Sequence, residues 1–346
     1  MTRPAFASRT RRSGIAFAAA LIALSLGGGA ARAGDLIRIG FVSTSLASVA
    51  IVVADAKGFF AAHGLDAKLI RFQSSQPIAL AIGSGDADFG VTGLSEPFFV
   101  LGNQGKLKII GGDTVERPGF HGLGFVASNQ AYEAGLKSVR DLGGHSVGIT
   151  QLGSPLEYSL SLVLDKYGID MRSVRVIGLQ SNSNVASSLT GNQIDAAIMS
   201  SANLYAVVNR GGAKPIGWLD EEAHGADTSG TVVATKLAND KPDTVRRFLA
   251  AFREAAKAWD AAFIDDKGNR ADQPEAPEMI ALAAKGLGQP EEVVRRGVTY
   301  VDPEARIAVA DLQRMLNWYE TRGLQKGHVE ATSLIDMRYA KLLTRP

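Results

Sequence analysis

The sequence of 346 residues contains no cysteine. This absence excludes disulfide bonds, thiolate ligands for a metal ion and anchoring through a lipid-modified cysteine. The five histidines are scattered, and no His-Glu-x-x-His pair, phosphate-binding loop or Gly-x-Ser-x-Gly motif occurs. Asp86-Ala-Asp88 imitates a metal motif, but an apolar strand follows it at once, which indicates a turn. These absences predict a protein that is not an enzyme and that uses neither a cofactor nor a metal.

The chain also lacks an apolar run that spans a bilayer comfortably, which takes about 20 residues. The apolar stretch 14–26 follows Arg9, Arg11 and Arg12, and residues 31–33 are small enough for a signal peptidase. This arrangement predicts a signal peptide over residues 1–33 and a mature protein in the periplasm.

Positive charge no longer exceeds negative charge once the predicted signal is set aside. Residues 1–33 hold five of the 37 basic residues and no acidic residue, so the rest has 32 basic and 35 acidic residues. The basic balance of the whole chain therefore belongs to the signal and does not indicate nucleic-acid binding.

One sequence pattern occurs twice, at residues 84–93 and 190–199. Each copy reads as a helix end, a glycine turn, an aspartate and an apolar strand that stops at small polar residues. Strands alternate with helices around both copies, which predicts parallel strands in sheets covered on both faces. A chain of this length exceeds one typical domain. We therefore expect two lobes that close on a small solute.

Two segments, 122–127 and 230–235, interrupt the alternation and are interpreted as strands that cross between the lobes. Helices dominate after the second of them and are expected to pack back on the first lobe. The predicted limits are 34–120 and 236–346 for lobe 1 and 121–235 for lobe 2.

Eight segments of the chain resemble the substrate-binding proteins of ABC importers, specifically the nitrate, sulfonate, taurine and thiamine-pyrimidine group. Their order and spacing carry the resemblance, which covers most of residues 36–260. One departure is that the glycine-to-aspartate spacing in 191–195 looks one residue longer than usual. The segments are 37–41, 56–60, 63–67, 84–90, 137–142, 147–148, 153–154 and 191–197.

The resemblance implies an α/β protein of the periplasmic-binding-protein type II fold. Such a protein has two doubly wound lobes joined by two crossing strands, and it closes around its ligand by hinge motion. Two enzyme families with similar lobes, the fungal thiamin-pyrimidine synthases and the porphobilinogen deaminases, depend on cysteine. The absence of cysteine excludes both.

The candidate site follows from where α/β sheets bind ligands, beyond the carboxyl ends of their strands. The loops at these positions are rich in hydroxyls and amides and contain no Lys or Arg. Backbone N–H groups at helix starts, together with hydroxyls, can hold an anion without a salt bridge. The predicted ligand-binding residues are Thr44, Ser45, Gln73, Ser75, Gln76, Thr92, Ser95, Glu96, His121, Gln151, Ser154, Glu157, Asn182, Asn184, Ser200 and Asn203.

Alternatives remain for several of these residues. Each serine could instead cap its own helix. Glu96 and Glu157 lie in first turns, where an acid complements the helix dipole. If either carboxylate faced the cleft, it would repel a sulfonate or nitrate and attract an amine or a ring N–H. His121, beside the first crossing strand, could reach the ligand or pack at the hinge.

The predicted function is delivery of a small organic solute, sulfonate- or taurine-like, to an ABC permease in the inner membrane. The protein is expected to act as a monomer without a cofactor. One alternative is a periplasmic subunit that senses its ligand and shares the cleft but has another partner. The other is a binder of a neutral or cationic N-heterocycle or amine, such as a thiamine pyrimidine precursor.

Overall fold

The computed structural model describes residues 1–2, 34–223 and 226–343. All but the first two residues of the predicted signal peptide lie outside this range. In the described residues the chain forms two five-stranded sheets and a short two-stranded pair. The strands are β1 (Asp35–Val42), β2 (Leu65–Phe72), β3 (Phe89–Gly93), β4 (Leu107–Gly111), β5 (Leu123–Ser128), β6 (Ser146–Ile149), β7 (Arg175–Gly178), β8 (Ala196–Ser200), β9 (Ala213–Trp218), β10 (Ser229–Ala234), β11 (Arg306–Ile307) and β12 (Lys341–Leu342).

Helices follow most strands and also make up the C-terminal third of the chain. They are α1 (Val49–Ala56), α2 (Phe59–Ala62), α3 (Gln76–Ser84), α4 (Glu96–Asn103), α5 (Asn129–Glu133), α6 (Pro155–Lys166), α7 (Asn182–Thr190), α8 (Ser201–Val208), α9 (Leu219–Glu222), α10 (Thr235–Asp240), α11 (Pro242–Phe263), α12 (Ala276–Leu287), α13 (Glu291–Arg296), α14 (Val309–Thr321) and α15 (Ala331–Leu334). No helix in the described range is long and apolar enough to cross a membrane.

The two sheets share one topology. The first has the strand order β2-β1-β3-β10-β4, and the second has β7-β6-β8-β5-β9. In the first, β1 runs parallel to β2 and β3, while β10 runs antiparallel to β3 and β4. In the second, β6 runs parallel to β7 and β8, while β5 runs antiparallel to β8 and β9. We call each sheet with its covering helices the first and the second lobe. The predicted α/β class with two sheets is confirmed.

The strands predicted to cross between the lobes each pair within a single sheet. β5 lies in the second sheet and β10 in the first. The chain therefore crosses in the segments before these strands, which we call the first crossing segment (112–122) and the second crossing segment (226–228). This corrects the lobe assignment of β10, which fell in the range 121–235. The physical reason is that the N–H and C=O groups of a strand need partners on both sides, and β3 and β4 supply them to β10.

The aspartates of the repeated pattern make equivalent hydrogen bonds in both lobes. The Asp88 carboxylate accepts the backbone N–H of Arg38 in β1 at 2.8 Å. The Asp195 carboxylate accepts the backbone N–H of Ser146 in β6 at 2.8 Å. Each aspartate thus ties the turn before one strand to the start of its parallel neighbour. This contact explains why the glycine turn and the aspartate recur together.

The C-terminal helices pack on the first lobe, as predicted. Phe248 of α11 stacks on Phe89 of β3, with ring centroids 4.0 Å apart, and both side chains are fully buried. The helix α14 begins at Val309 because residues 306–307 form β11 and pair with β12. These helices therefore form part of the first lobe.

Candidate functional site

A cavity lies where the carboxyl ends of the parallel strands in the two sheets face each other. The cavity has a volume of about 110 Å³. Both lobes and both crossing segments contribute to its walls. The lining residues are Val42, Ser45, Ala47, Gln73, Ser74, Ser75, Gly93, Thr114, Glu116, Gly122, Leu123, Thr150, Ser154, Pro155, Leu156, Asn182, Ser200, Ala226, Thr228, Ser229 and Thr299.

Six of the predicted site residues come together on this cavity. They are Ser45, Gln73, Ser75, Ser154, Asn182 and Ser200. Ser75 and Ser154 precede the first residues of α3 and α6, and Asn182 is the first residue of α7. The N-termini of helices from both lobes therefore point toward the same space. Backbone N–H groups and the positive ends of these helix dipoles favour an electron-rich ligand group there.

The serine hydroxyls on the cavity are not used to cap helices. Ser75, Ser154 and Ser200 occupy N-cap positions, but in the described residues their side chains make no capping hydrogen bond. The buried Oγ of Ser154 has no hydrogen-bond partner in the described part of the chain. A buried polar group left unpaired costs about 1–3 kcal/mol. A ligand that bonds to this hydroxyl would offset that cost.

The ionisable residue on the cavity wall is one that the sequence analysis did not select. Among the described lining residues, Glu116 alone carries a side chain that can be charged at neutral pH. It lies in the first crossing segment, with 8% of its surface exposed. Burial raises the pKa of its carboxyl well above the ordinary value, and the negative charge of Asp220 raises it further. Backbone N–H groups of Gly122 and Leu123 act in the opposite direction.

The two glutamates considered in the sequence analysis lie outside the set of lining residues in the described chain. Glu157 Oε2 accepts the backbone N–H of Gly153 at 2.8 Å, and Oε1 accepts from Arg322 at 3.2 Å. The backbone N–H of Glu96 donates to the Gly153 carbonyl at 2.9 Å. Glu157 through its carboxylate and Glu96 through its backbone N–H therefore take part in contacts between the lobes, and Glu116 is the ionisable group among the described lining residues.

His121 lies at the hinge. Its Nδ1 is 3.0 Å from the fully buried Oδ1 of Asp220, and its ring stacks on Trp218 with centroids 4.3 Å apart. The structure therefore favours hinge packing over ligand contact for this histidine, and it lies outside the lining set of the described residues.

The remaining predicted residues also lie outside the lining set of the described chain. The Thr44 carbonyl accepts a hydrogen bond from Gln289 at 3.3 Å. Asn203 Nδ2 donates to Ser200 Oγ at 2.8 Å, so it orients a residue that does line the cavity. Asn184 Nδ2 donates to the Leu179 carbonyl at 2.8 Å. A role of these residues in ligand binding stays a prediction: Thr44, Gln76, Thr92, Ser95, Gln151, Asn184 and Asn203.

The loop 151–154 of the second lobe docks on the first lobe. Gln76 Nε2 donates to the Leu152 carbonyl at 2.7 Å, and the Tyr319 hydroxyl donates to the Gly153 carbonyl at 3.0 Å. A second contact joins Ser201 Oγ of α8 to the Gly297 carbonyl at 3.0 Å. The lobes therefore touch at two separate places, and the structure represents a closed arrangement.

No three His, Asp or Glu side chains in the described residues are placed to hold a metal ion.

We expect Gln76→Ala to weaken ligand binding by about 2–12-fold, because one hydrogen bond that exists only when the lobes close is worth about 0.5–1.5 kcal/mol. Calorimetric titration of the purified protein would measure this change. The same substitution at the exposed Gln193 in the second lobe is the control. Equal affinities of the two variants would show that the Gln76–Leu152 contact does not stabilise the bound state.

The sequence analysis missed the part of the wall that the crossing segments and the strand starts after them supply. The rule that it used considers only loops after parallel strands, whereas β5 and β10 are antiparallel and meet the cavity at their first residues. The sequence analysis could have found these residues from the predicted crossing strands, because a segment that passes between two lobes borders the cleft between them. These residues are Thr114, Glu116, Gly122, Leu123, Ala226, Thr228 and Ser229.

Comparison with known sequences identifies a family. Residues 46–263 match the family model described as NMT1/THI5 like. A protein of Brucella abortus (strain 2308) named as a binding protein is 32% identical over 161 residues, which is 46% of this chain and 46% of that protein. The chain thus spans about half the length of the curated relatives that it matches.

Solved structures share the fold at low sequence identity. The alkanesulfonate-binding protein SsuA from Xanthomonas axonopodis pv. citri, bound to MOPS, has a TM-score of 0.70 at 18% identity and covers 87% of this chain and 98% of its own. The aliphatic sulphonate binding protein SsuA from Escherichia coli gives 0.68 at 20%, covering 90% and 95%. The nitrate-binding protein NrtA from Synechocystis PCC 6803 gives 0.68 at 14%, covering 87% and 84%. The periplasmic-binding-protein fold is therefore confirmed.

Proposed function

The chain belongs to the NMT1/THI5-like family, and from that premise we propose that it is an exported periplasmic protein that delivers a small organic solute to an ABC import permease. It acts as a monomer, without a cofactor, and the permease is its membrane partner. Proteins with the same fold include periplasmic binding proteins for alkanesulfonates and nitrate, which supports this class of function.

The observation that carries the proposal is the polar cavity with walls from both lobes. Ser75 of the first lobe and Ser154 and Asn182 of the second lobe line the same cavity. A ligand in that space contacts both lobes only when they close. Binding therefore stabilises the closed form by its differential affinity for closed over open protein. The closed form is the one that the permease would recognise.

The test of the site is a Trp substitution on the cavity wall. Asn182→Trp places a large side chain in a space of about 110 Å³, so we expect it to abolish the rise in melting temperature that a ligand causes by mass action. Ser187→Trp is the matched control, because residue 187 lies on the same helix, is exposed and is not among the described lining residues. Retention of the ligand-induced shift in Asn182→Trp would place the site elsewhere.

The screen that supplies the ligand uses the mature protein with sulfonates, nitrate, taurine, pyrimidines, small amines and aromatic acids. Each compound is scored by the change in melting temperature. A compound that shifts the native protein and not Asn182→Trp supports the proposed function. If no compound of any class produces a shift, the solute-binding proposal fails.

A further inference from the structure

Glu116 occupies a place on the cavity wall that the sequence comparison and the strand-end rule do not assign. Its backbone N–H donates to the Ala226 carbonyl at 3.1 Å, which ties the first crossing segment to the second. Both segments border the cavity. The carboxyl therefore lies at the hinge, between the two segments that join the lobes.

The backbone beside Glu116 is shaped to admit its carboxyl. A Cβ atom at Gly122 would lie 2.5 Å from Glu116 Oε1, closer than real Cβ contacts allow. Glycine at position 122 therefore permits the carboxyl to lie against the backbone. The N–H groups of Gly122 and Leu123 act on it there and favour its charged form. The other oxygen, Oε2, is buried and has no hydrogen-bond partner in the described residues.

The charges around Glu116 leave it without a cation. Asp220, the charged group whose field acts on it, is fully buried and negative. The nearby imidazole of His121 bonds to Asp220 through Nδ1. No Lys, Arg or His is among the described lining residues. Burial without a cationic partner disfavours the charged form of the Glu116 carboxyl. Since the described lining residues supply no cation, a cation that stabilises the charged form must come with the ligand.

We propose that the ligand places a nitrogen that carries hydrogen, in a protonated amine, an amidine or a ring N–H, against the carboxyl of Glu116. This inference rests on the proposed solute-binding function and names the ligand class of the same cavity. The nitrogen donates to Oε2, and the hydroxyls and helix N-termini on the lobe walls bind the polar or anionic remainder of the molecule. A ligand with both groups forms hydrogen bonds with Glu116 and with the polar groups of the lobe walls at the same time.

The test compares ligands that differ only in this nitrogen. Taurine and isethionate are both two-carbon sulfonates, one with an amine where the other has a hydroxyl. 4-Aminopyrimidine and pyrimidine form a second pair. Calorimetric titration of the purified protein is expected to give at least about 10-fold tighter binding of the nitrogen-bearing member in one pair. Glu116→Gln should remove that preference while the ligand-free protein remains folded, because glutamine keeps the shape and removes the charge.

Asp260→Asn is the control, since that carboxyl is also buried and lies outside the cavity lining of the described residues. It should leave the preference intact. Binding of isethionate or nitrate that equals that of the nitrogen-bearing probes, with no effect of Glu116→Gln, would overturn the inference and leave the solute-binding function standing. If no probe of any class binds, both the inference and the proposed function are wrong. If Glu116→Gln still prefers the nitrogen-bearing ligand, the ligand nitrogen binds another residue, and the inference is also overturned.

Discussion

Replacing Trp259 with alanine is expected to lower the free energy of unfolding by about 3–5 kcal/mol, the usual cost of removing a buried Trp side chain. Trp259 lies on α11, fully buried. Its ring packs on Phe263 with centroids 4.5 Å apart, and its Nε1 donates to the Thr299 carbonyl at 2.8 Å. The substitution therefore creates a large void and leaves a buried carbonyl without its donor.

The same substitution should also disturb the cavity. Thr299 lines the cavity, and its hydroxyl donates to the Leu46 carbonyl at 3.3 Å. Loss of the Trp259 bond frees the backbone on which this part of the wall is built. We therefore expect weaker ligand binding in addition to lower stability.

Chemical denaturation monitored by circular dichroism measures the effect on stability. Trp318→Ala is the matched control, because Trp318 on α14 is only partly buried and its removal costs less transfer free energy. Trp259→Phe retains much of the buried ring and should lie between the native protein and Trp259→Ala. Equal losses in Trp259→Ala and Trp318→Ala would contradict the central position assigned to Trp259.

The second large effect is a fall in stability as the pH rises from 5 to 8. Asp113 is fully buried, and burial raises the pKa of its carboxyl to about 8, with the charge of Asp227 contributing in the same direction. Burial likewise raises the pKa of Asp260 to about 8. An aspartate in the unfolded chain has its ordinary pKa of 3.8.

The sign follows from proton linkage. Between the unfolded and folded pKa values the native protein binds more protons than the unfolded chain, so the free energy of unfolding falls with rising pH. The stabilising contribution is fully present below the unfolded pKa and is lost as the pH passes through 8. Each pH unit is worth about 1.4 kcal/mol per group, so three units give up to about 4 kcal/mol for one such aspartate.

The check is denaturation of the native protein and of Asp113→Asn at pH 5, 6, 7 and 8. Asparagine resembles the protonated carboxyl and does not titrate, so the variant should lose the part of the pH dependence that Asp113 contributes and keep the part from Asp260. Asp266→Asn on the surface is the control and should follow the native curve. The exposed His328 has a pKa raised by Glu330 and Glu320, and comparing variants at each pH cancels its contribution. Parallel curves for Asp113→Asn and the native protein would refute the assignment.

Several features of the molecule could be read from short stretches of sequence. The repeated glycine-to-aspartate pattern predicted β3 and β8 because the turn and the strand are made by residues close along the chain. The starts of α3 and α6 could be predicted because a proline lies within two residues after a serine at the N-cap position. The strand-end rule then placed Ser154 and Asn182 on the cavity wall, since loops after parallel strands meet at one edge of a sheet.

Only the tertiary structure decided which polar groups face the ligand. Glu157 lies in the first turn of α6, next to a predicted cavity loop, yet Arg322, 165 residues away, holds its carboxylate between the lobes. Glu116 gave no local signal, and its place on the wall results from a contact with Ala226 across the two crossing segments. The sequence by itself determined the α/β alternation and the two lobes, because these depend on local pattern and turns. The charge of the cavity depends on contacts between distant residues, and those exist only once the lobes have packed.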